Sequence, residues 1–308
     1  MASRVNNTGR IRLTAVLALC LAPLCQAEIR VTDDLGRELL LEKPAQRIVS
    51  LAPHNTENLY SAGAGDQVVG TVDHSDYPKP ALDIPRVGNY KQINIEAILA
   101  LQPDLVIAWS SGNRNGTTQR LIDLGLPVFI SEPNSFELII SNIERFSRMA
   151  GRHAEVAADI EKMRETYRDL EAEYSKKSPV RVFYQVWNPP LMTLSREHSV
   201  NGALELCGGI NVFADEPGLA PRINVEGVIA KNPQLILLAG HSQAQSPAWE
   251  EAWQQWPAID AVANGQVKLI NPDIINRPTR RFLEGTRELC ELIDAARQVM
   301  QGKPAKRQ

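Results

Sequence analysis

The chain alternates short apolar runs with amphipathic stretches, and the pattern changes character twice. Residues 28–42 (EIRVTDDLGRELLLE) alternate with a period of two around Asp34-Leu35-Gly36, which predicts a β-hairpin. From residue 47 onward, apolar runs of three to five residues are separated by helical stretches. Strands are expected at residues 47–51, 68–72, 105–109 and 128–130, with helices at about 55–62, 95–101 and 117–124. Asn55 or Thr56 is expected to cap the first of those helices, and Gly63 and Gly65 to end it. Short apolar strands that alternate with helices predict a parallel sheet covered on both faces.

Between residues 152 and 177 the period lengthens. Val156, Ile160, Met163, Tyr167, Leu170 and Tyr174 are spaced 4, 3, 4, 3 and 4, with charges between them. This is one apolar stripe on a long helix. About 25 residues reach nearly 40 Å, enough to run along two lobes. The strand-helix alternation then restarts at Arg181-Val182-Phe183-Tyr184. Asn94-Ile95-Glu96-Ala97 leads through Pro103 into Leu105-Val106-Ile107, and Asn224-Val225-Glu226-Gly227 leads through Pro233 into Leu235-Ile236-Leu237, at a constant offset of 130 residues. A helix, a proline break and a buried strand are written twice, which predicts two similar α/β lobes. The expected division is a leader at residues 1–27, an N-terminal lobe at 28–150, a bridging helix at 151–178 and a C-terminal lobe at 179–308.

The leader has its own pattern. Arg4, Arg10 and Arg12 precede and enter a short apolar core at residues 13–23, and Cys25-Gln26-Ala27 supplies small residues for cleavage before Glu28. This is the pattern of a secretory signal peptide. A lipoprotein signal at Cys20 or Cys25 is the alternative, but Leu19 and Leu24 stand where Gly, Ala or Ser is wanted, so soluble export is expected. No apolar run of about 20 residues is present to span a membrane as a mature helix.

Composition narrows the classes. The 308 residues carry 33 Lys+Arg against 36 Asp+Glu, a net −3, and 44% are hydrophobic, an ordinary globular value. Without the leader, 30 basic residues face 36 acidic ones, a net −6. A nucleic-acid binder would show a basic stripe instead. Cleavage also removes Cys20 and Cys25, leaving Cys207 and Cys290. An even pair in an exported chain reads as a disulfide, with two buried thiols as the alternative.

Catalytic signatures are missing. The chain has no G-x-S-x-G, Walker A or H-E-x-x-H motif. Its five histidines (His54, His74, His153, His198, His241) show no zinc-ligand spacing. No catalytic residue, metal ligand or cofactor is therefore expected. Aromatic and polar residues instead gather where strands end. His74 and Tyr77 follow residues 68–72, Tyr90 follows Gly88-Asn89, and Trp109 closes residues 105–109. Trp187 follows residues 182–185, and Asp273 and Arg277 follow residues 267–270. In open α/β sheets, ligands sit beyond the carboxyl ends of the strands. Five such loops on two matching lobes predict a wide aromatic-lined cleft for a large, flat, partly apolar ligand. Asp273 and Arg277 would be its placed polar contacts, or else a local solvated ion pair.

From about Arg47 to the C-terminal helix, the chain resembles the periplasmic substrate-binding proteins of ABC importers for vitamin B12, the BtuF family. The resemblance is carried by Ile48-Val49-Ser50-Leu51-Ala52-Pro53 with Asn55-Thr56-Glu57, by Ser75-Asp76-Tyr77-Pro78, and by residues 94–109. Leu204-Glu205-Leu206-Cys207-Gly208-Gly209 and the Asp273/Arg277 pair before Cys290 add to it. The first two stretches are shared with siderophore and haem binders. Trp109, Asp273 and Arg277 make the set more specific to the cobalamin branch.

The resemblance implies two Rossmann-like lobes joined by a single long interlobe helix, the class III arrangement of substrate-binding proteins. It implies a periplasmic carrier that performs no catalysis, with cobalamin as transported ligand rather than cofactor. Tyr90, Trp109, Asp273 and Arg277 would fall at ligand-contacting positions, with His74, Tyr77 and Trp187 on the same surface. Cys207 and Cys290 would fall on a disulfide. Glu96 and Glu226 would fall on lobe-tip glutamates that dock onto the membrane subunits of the importer, its permease and ATPase being the partners of a monomer. The blander account makes each a helix N-terminal acid favoured by the dipole. Three positions depart from the family: His74 stands where an aromatic contact is expected, Ala220 where a tryptophan is, and Met192 replaces a further aromatic. Rival readings are the same fold with haem or a ferric siderophore, which points to His54, His74 and Tyr77, and an exported α/β enzyme with a nucleophile-base pair in the cleft.

Overall fold

The computed structural model describes residues 28–89, 92–113, 115–240 and 246–302, together with Met1. The expected hairpin forms from β1 (Ile29–Thr32) and β2 (Glu38–Leu41), paired antiparallel. Its turn is closed by the Asp33 carboxylate, which accepts from the backbone of Leu35 and Arg37 at 3.0 and 2.9 Å.

The first lobe continues through β3 (Ile48–Ser50), α1 (Pro53–Ser61), β4 (Val68–Gly70), α2 (Ile95–Ala100), β5 (Leu105–Trp109), α3 (Asn115–Asp123), β6 (Val128–Ser131) and α4 (Phe136–Met149). One helix, α5 (His153–Tyr174), leads to the second lobe. That lobe holds β7 (Val180–Gln185), α6 (Ser199–Leu206), β8 (Gly209–Asn211), α7 (Val225–Lys231), β9 (Leu235–Leu238) and α8 (Ser246–Gln254). It ends with α9 (Asp260–Ala263), β10 (Val267–Leu269), α10 (Pro272–Ile275) and α11 (Phe282–Met300).

The two four-stranded sheets are parallel and run β4-β3-β5-β6 and β10-β9-β7-β8. Counted within each lobe, both place the second strand beside the first, then the third and the fourth. The repeat at an offset of 130 residues is therefore architectural, and it reaches single atoms. The Asn94 side chain accepts from the Ala97 amide at 2.9 Å, and the Asn224 side chain from the Gly227 amide at 2.8 Å. Each asparagine satisfies one of the orphan amides that open a helix. Ile98 and Val228 then turn inward as equivalent buried positions.

The long stripe behaves as its spacing predicts. Ile160, Met163, Leu170 and Tyr174 are buried, and Val156 and Tyr167 pack half-buried beside them. The stripe joins one apolar core that runs from Phe129 and Phe146 in the first lobe to Tyr184 and Ile293 in the second. Cys207 and Cys290 form a disulfide across 83 residues, tying the end of α6 to α11 inside that core. Among the described residues, no helix is long and apolar enough to cross a membrane.

Two expectations need correction. The first helix starts at Pro53, behind an Ala52 that makes no side-chain cap, instead of being capped by Asn55 or Thr56. Proline at the first helical position removes one of the orphan amides and presets φ, which starts the helix at Pro53 without a capping side chain. The second is α4, 14 residues long, for which no helix was expected. Ser135 caps it on the Leu138 amide at 3.2 Å, and Phe136, Ile139, Ile140, Ile143 and Phe146 form its buried face.

Candidate functional site

Helix α1 runs into the space between the lobes and buries five consecutive polar residues. His54, Asn55, Thr56, Glu57 and Asn58 are none of them more than 5% exposed. Buried polar groups need partners, and most find them. Asn55 Nδ2 donates to the Ala108 carbonyl at 3.3 Å, and the Thr56 hydroxyl lies 2.6 Å from that of Thr71. The other two bind across to the second lobe. Arg281 donates two hydrogen bonds to the Glu57 carboxylate, both at 2.7 Å, and Asn58 Nδ2 donates to the Pro278 carbonyl at 3.0 Å. Nε2 of His54 and the side-chain oxygens of Asn55 and Asn58 are sealed from solvent without a partner.

Above this seam lies a cavity of about 440 Å³, within the usual range for small-molecule sites. The first lobe supplies Pro53, His54, His74, Trp109 and residues 132–134; the second supplies residues 197–199, Leu219 and residues 276–278. It sits at the carboxyl ends of β3 and β5, as expected for an open parallel sheet. A second open groove, between α5 and α11, is lined largely by surface charges such as Asp159, Arg287 and Glu291, and is remote from the strand ends.

Trp109 is fixed on three sides. Its amide donates to Asn113 Oδ1 at 2.7 Å, while Asn113 Nδ2 donates to the Leu51 carbonyl at 2.9 Å. Its ring lies so close to Gly112 that a Cβ there would fall 1.8 Å from the indole. Only glycine permits that approach. The Trp109 and His54 rings meet edge to face, with centroids 4.9 Å apart. Burial, reinforced by the positive Arg277, lowers the His54 pKa to about 3, so this imidazole is neutral.

Arg277 enters from the second lobe. It donates to both carboxylate oxygens of Asp76 at 2.6 and 3.3 Å, closing a salt bridge between lobes. That hydrogen bond holds the Asp76 carboxyl below its ordinary pKa. Asp273 lies 4.0 Å from Arg277 and is exposed. Asn276, beside Arg277, is held by the Tyr184 hydroxyl, which donates to its Oδ1 at 2.7 Å.

Of the expected site residues, the cavity gathers His74, Trp109 and Arg277. His74 adopts φ +65, a left-handed turn conformation uncommon outside glycine. Tyr77 stands outside the cavity lining, its exposed ring covering the Arg281 guanidinium at 3.8 Å. Trp187 also stands outside, its Nε1 donating to the Pro189 carbonyl at 2.8 Å. Tyr90 lies outside the described residues. Glu96 and Glu226 are exposed, each in the first turn of its helix, α2 and α7. Among the described residues, no group of three or more His, Cys, Asp or Glu is placed to hold a metal ion. His198 and Arg281 were not picked out from the sequence, and neither belongs to a motif that would flag it.

Two parallel-sheet lobes that face each other across an aromatic-walled cleft, bridged by one helix, define a binding protein of the two-lobed carrier class. The chain belongs to the periplasmic binding protein family, whose pattern it matches over residues 48–274. It is 39% identical over 253 residues to the vitamin B12-binding protein of Vibrio cholerae, covering 82% of this chain and 91% of that protein. The crystal structure of periplasmic vitamin B12-binding protein BtuF of Vibrio cholerae superposes with a TM-score of 0.77 at 39% identity, over 83% of this chain and 99% of that one. The periplasmic haem-binding protein HutB of Vibrio cholerae shares the fold at 19% identity, with a TM-score of 0.69 over 80% and 98% of the two chains. As a member of this family the chain is a periplasmic ligand carrier, not an enzyme.

Proposed function

We propose that this protein captures cobalamin in the interlobe cleft and delivers it to the permease and ATPase subunits of an inner-membrane ABC importer, acting as a monomer. The observation that carries the reading is the electrostatic character of the cleft. Among the described residues its walls carry Glu132, Glu197 and a single guanidinium, Arg277, which Asp76 already neutralises. His54 and His198 add no charge, because burial lowers their pKa values to about 3 and about 4. A haem with two propionates or an anionic ferric siderophore would enter an unfavourable field. A corrin rimmed by neutral amides would not, and Trp109 offers it an apolar ring. The similarity to vitamin B12-binding proteins along most of the chain supports the same ligand.

In this reading His74, Tyr77, Tyr90, Trp109, Trp187, Asp273 and Arg277 form the ligand-binding surface, the outer members being reached by the parts of a large ligand that stand out of the cavity. The chain is processed after Ala27 and divides into lobes at residues 28–150 and 179–308 around the bridge at 151–178. Titration of purified residues 28–308 with cobalamin, hemin and ferric siderophores, followed by absorbance and heat, tests it. Micromolar or tighter binding of cobalamin alone is expected; preference for hemin would support the rival in which the unpartnered His54 imidazole is an axial ligand. Trp109→Ala is expected to weaken cobalamin binding about tenfold, through loss of ring contact and of the wall it forms with His54.

Glu96 and Glu226 are assigned to docking. They are equivalent acids on the two lobes, placed on corresponding turns by the repeated Asn caps. Rim charges of this kind set encounter rate and register. Glu96→Ala combined with Glu226→Ala is expected to leave cobalamin affinity unchanged in solution while uptake by cells falls. Equal loss of binding and uptake would count against this division of roles.

A further inference from the structure

His198 lines the second-lobe wall of the cleft, immediately before α6. Its Nδ1 accepts a hydrogen bond from the Val200 amide at 3.2 Å, and its own amide donates to the Ser195 carbonyl at 3.3 Å. An imidazole nitrogen that accepts from an N–H cannot carry a proton, so in the neutral ring the proton resides on Nε2. The tautomer is thus set by the helix it caps. Nε2 has no partner among the described residues, yet it is not among the sealed polar atoms, in contrast to Nε2 of His54. Burial lowers the ring's pKa to about 4, so the group is an uncharged donor.

The chemistry of an acceptor follows from the neighbours. Glu197 is adjacent in sequence and Glu132 faces the same cavity from the first lobe. Ser111 donates to Glu132 from both its amide and its hydroxyl, at 2.7 and 3.0 Å, which holds that carboxylate in place. Two acids oppose an anionic acceptor here, whereas a neutral carbonyl meets no such repulsion.

We propose that His198 is a ligand-recognition residue, donating from Nε2 to a neutral amide carbonyl on the ligand, as found around the rim of a corrin. The inference rests on the cobalamin reading and assigns one of its polar contacts to a side chain outside the expected set. It also gives the second lobe a recognition group that does not depend on the Arg277–Asp76 pair.

The test separates the cap from the donor. His198→Ser keeps an N-cap, since serine is favoured there, and removes the donor. His198→Gln keeps an N–H at similar reach and is a poorer cap. Calorimetric titration with cyanocobalamin and thermal unfolding are measured on wild type and both variants. The expected affinity order is wild type, then Gln, then Ser, with Ser about fivefold weaker than wild type, the usual effect of one neutral hydrogen bond. The expected stability order of the variants is the reverse, with Ser above Gln. Wild-type affinity in His198→Ser, or affinities that follow the stability order, would overturn the inference alone. A wild-type protein that fails to bind cyanocobalamin would instead overturn the functional reading on which it rests.

Discussion

Glu57→Ala is expected to lower the free energy of unfolding by about 3–5 kcal/mol, the usual cost of removing one partner of a buried ion pair. The Glu57 side chain is 2% exposed and that of Arg281 is 15% exposed, so the guanidinium left behind has little water to replace two charge-assisted bonds. The hydrogen bonds that Arg281 donates to Glu57 hold the Arg281 pKa above its ordinary value, so Arg281 cannot escape by losing its proton. The Tyr77 ring retains part of the interaction, which places the effect nearer the lower end. Urea unfolding followed by circular dichroism measures the change. The double variant with Arg281→Ala should lose less than the two single losses added together, because it leaves no unpaired charge. Strict additivity would contradict a direct pair.

Acid is expected to have the second large effect, beginning near pH 6.5. His54 and His198 have pKa values of about 3 and about 4 in the folded protein, against about 6.5 for an unfolded histidine. Above pH 6.5 both rings are neutral in both states, and the stability they permit is fully present. As pH falls below 6.5 the unfolded chain binds two protons that the folded chain refuses. The equilibrium then shifts toward unfolding by up to about 1.4 kcal/mol per pH unit for each ring. His198 ceases to contribute further loss near pH 4, and His54 near pH 3. Urea midpoints measured from pH 7.5 to 4.5 should fall along this line, and His198→Ser should remove about half of the slope. A flat profile over that interval would show that neither ring is held neutral.

Both effects rest on residues that local pattern could not rank. The stripe on α5 and the repeat at 130 residues were legible because period and offset are properties of neighbouring positions. Strand ends were legible too, and with them Trp109 and His74 as cleft residues. The start of α1 was misread because two good capping residues follow Pro53; both are turned inward and bonded to the sheet instead. Helix α4 carried a readable signal in Ser135 and its apolar face, but only residues 150–152 separate it from α5. The contacts that join the lobes had no signature at all. Asp76 meets Arg277 across 201 residues and Glu57 meets Arg281 across 224, and nothing local to these residues names the partner that each finds once the chain has closed. The neutrality of His54 and His198 is likewise a product of packing.

The bonds beneath the cleft bear on how a loaded carrier is told from an empty one. Glu57–Arg281, Asn58–Pro278 and Asp76–Arg277 join the lobes, and α5 spans them with a continuous buried stripe. Lobes held by such bonds save part of the ordering cost of binding, and they leave little room for the outline to change as a ligand enters or departs. A receiver that measured the angle between jaws would answer to idle carriers almost as readily as to full ones. Discrimination must then come from the freight itself, felt at the open mouth, or from work done by the receiver in prying the jaws apart.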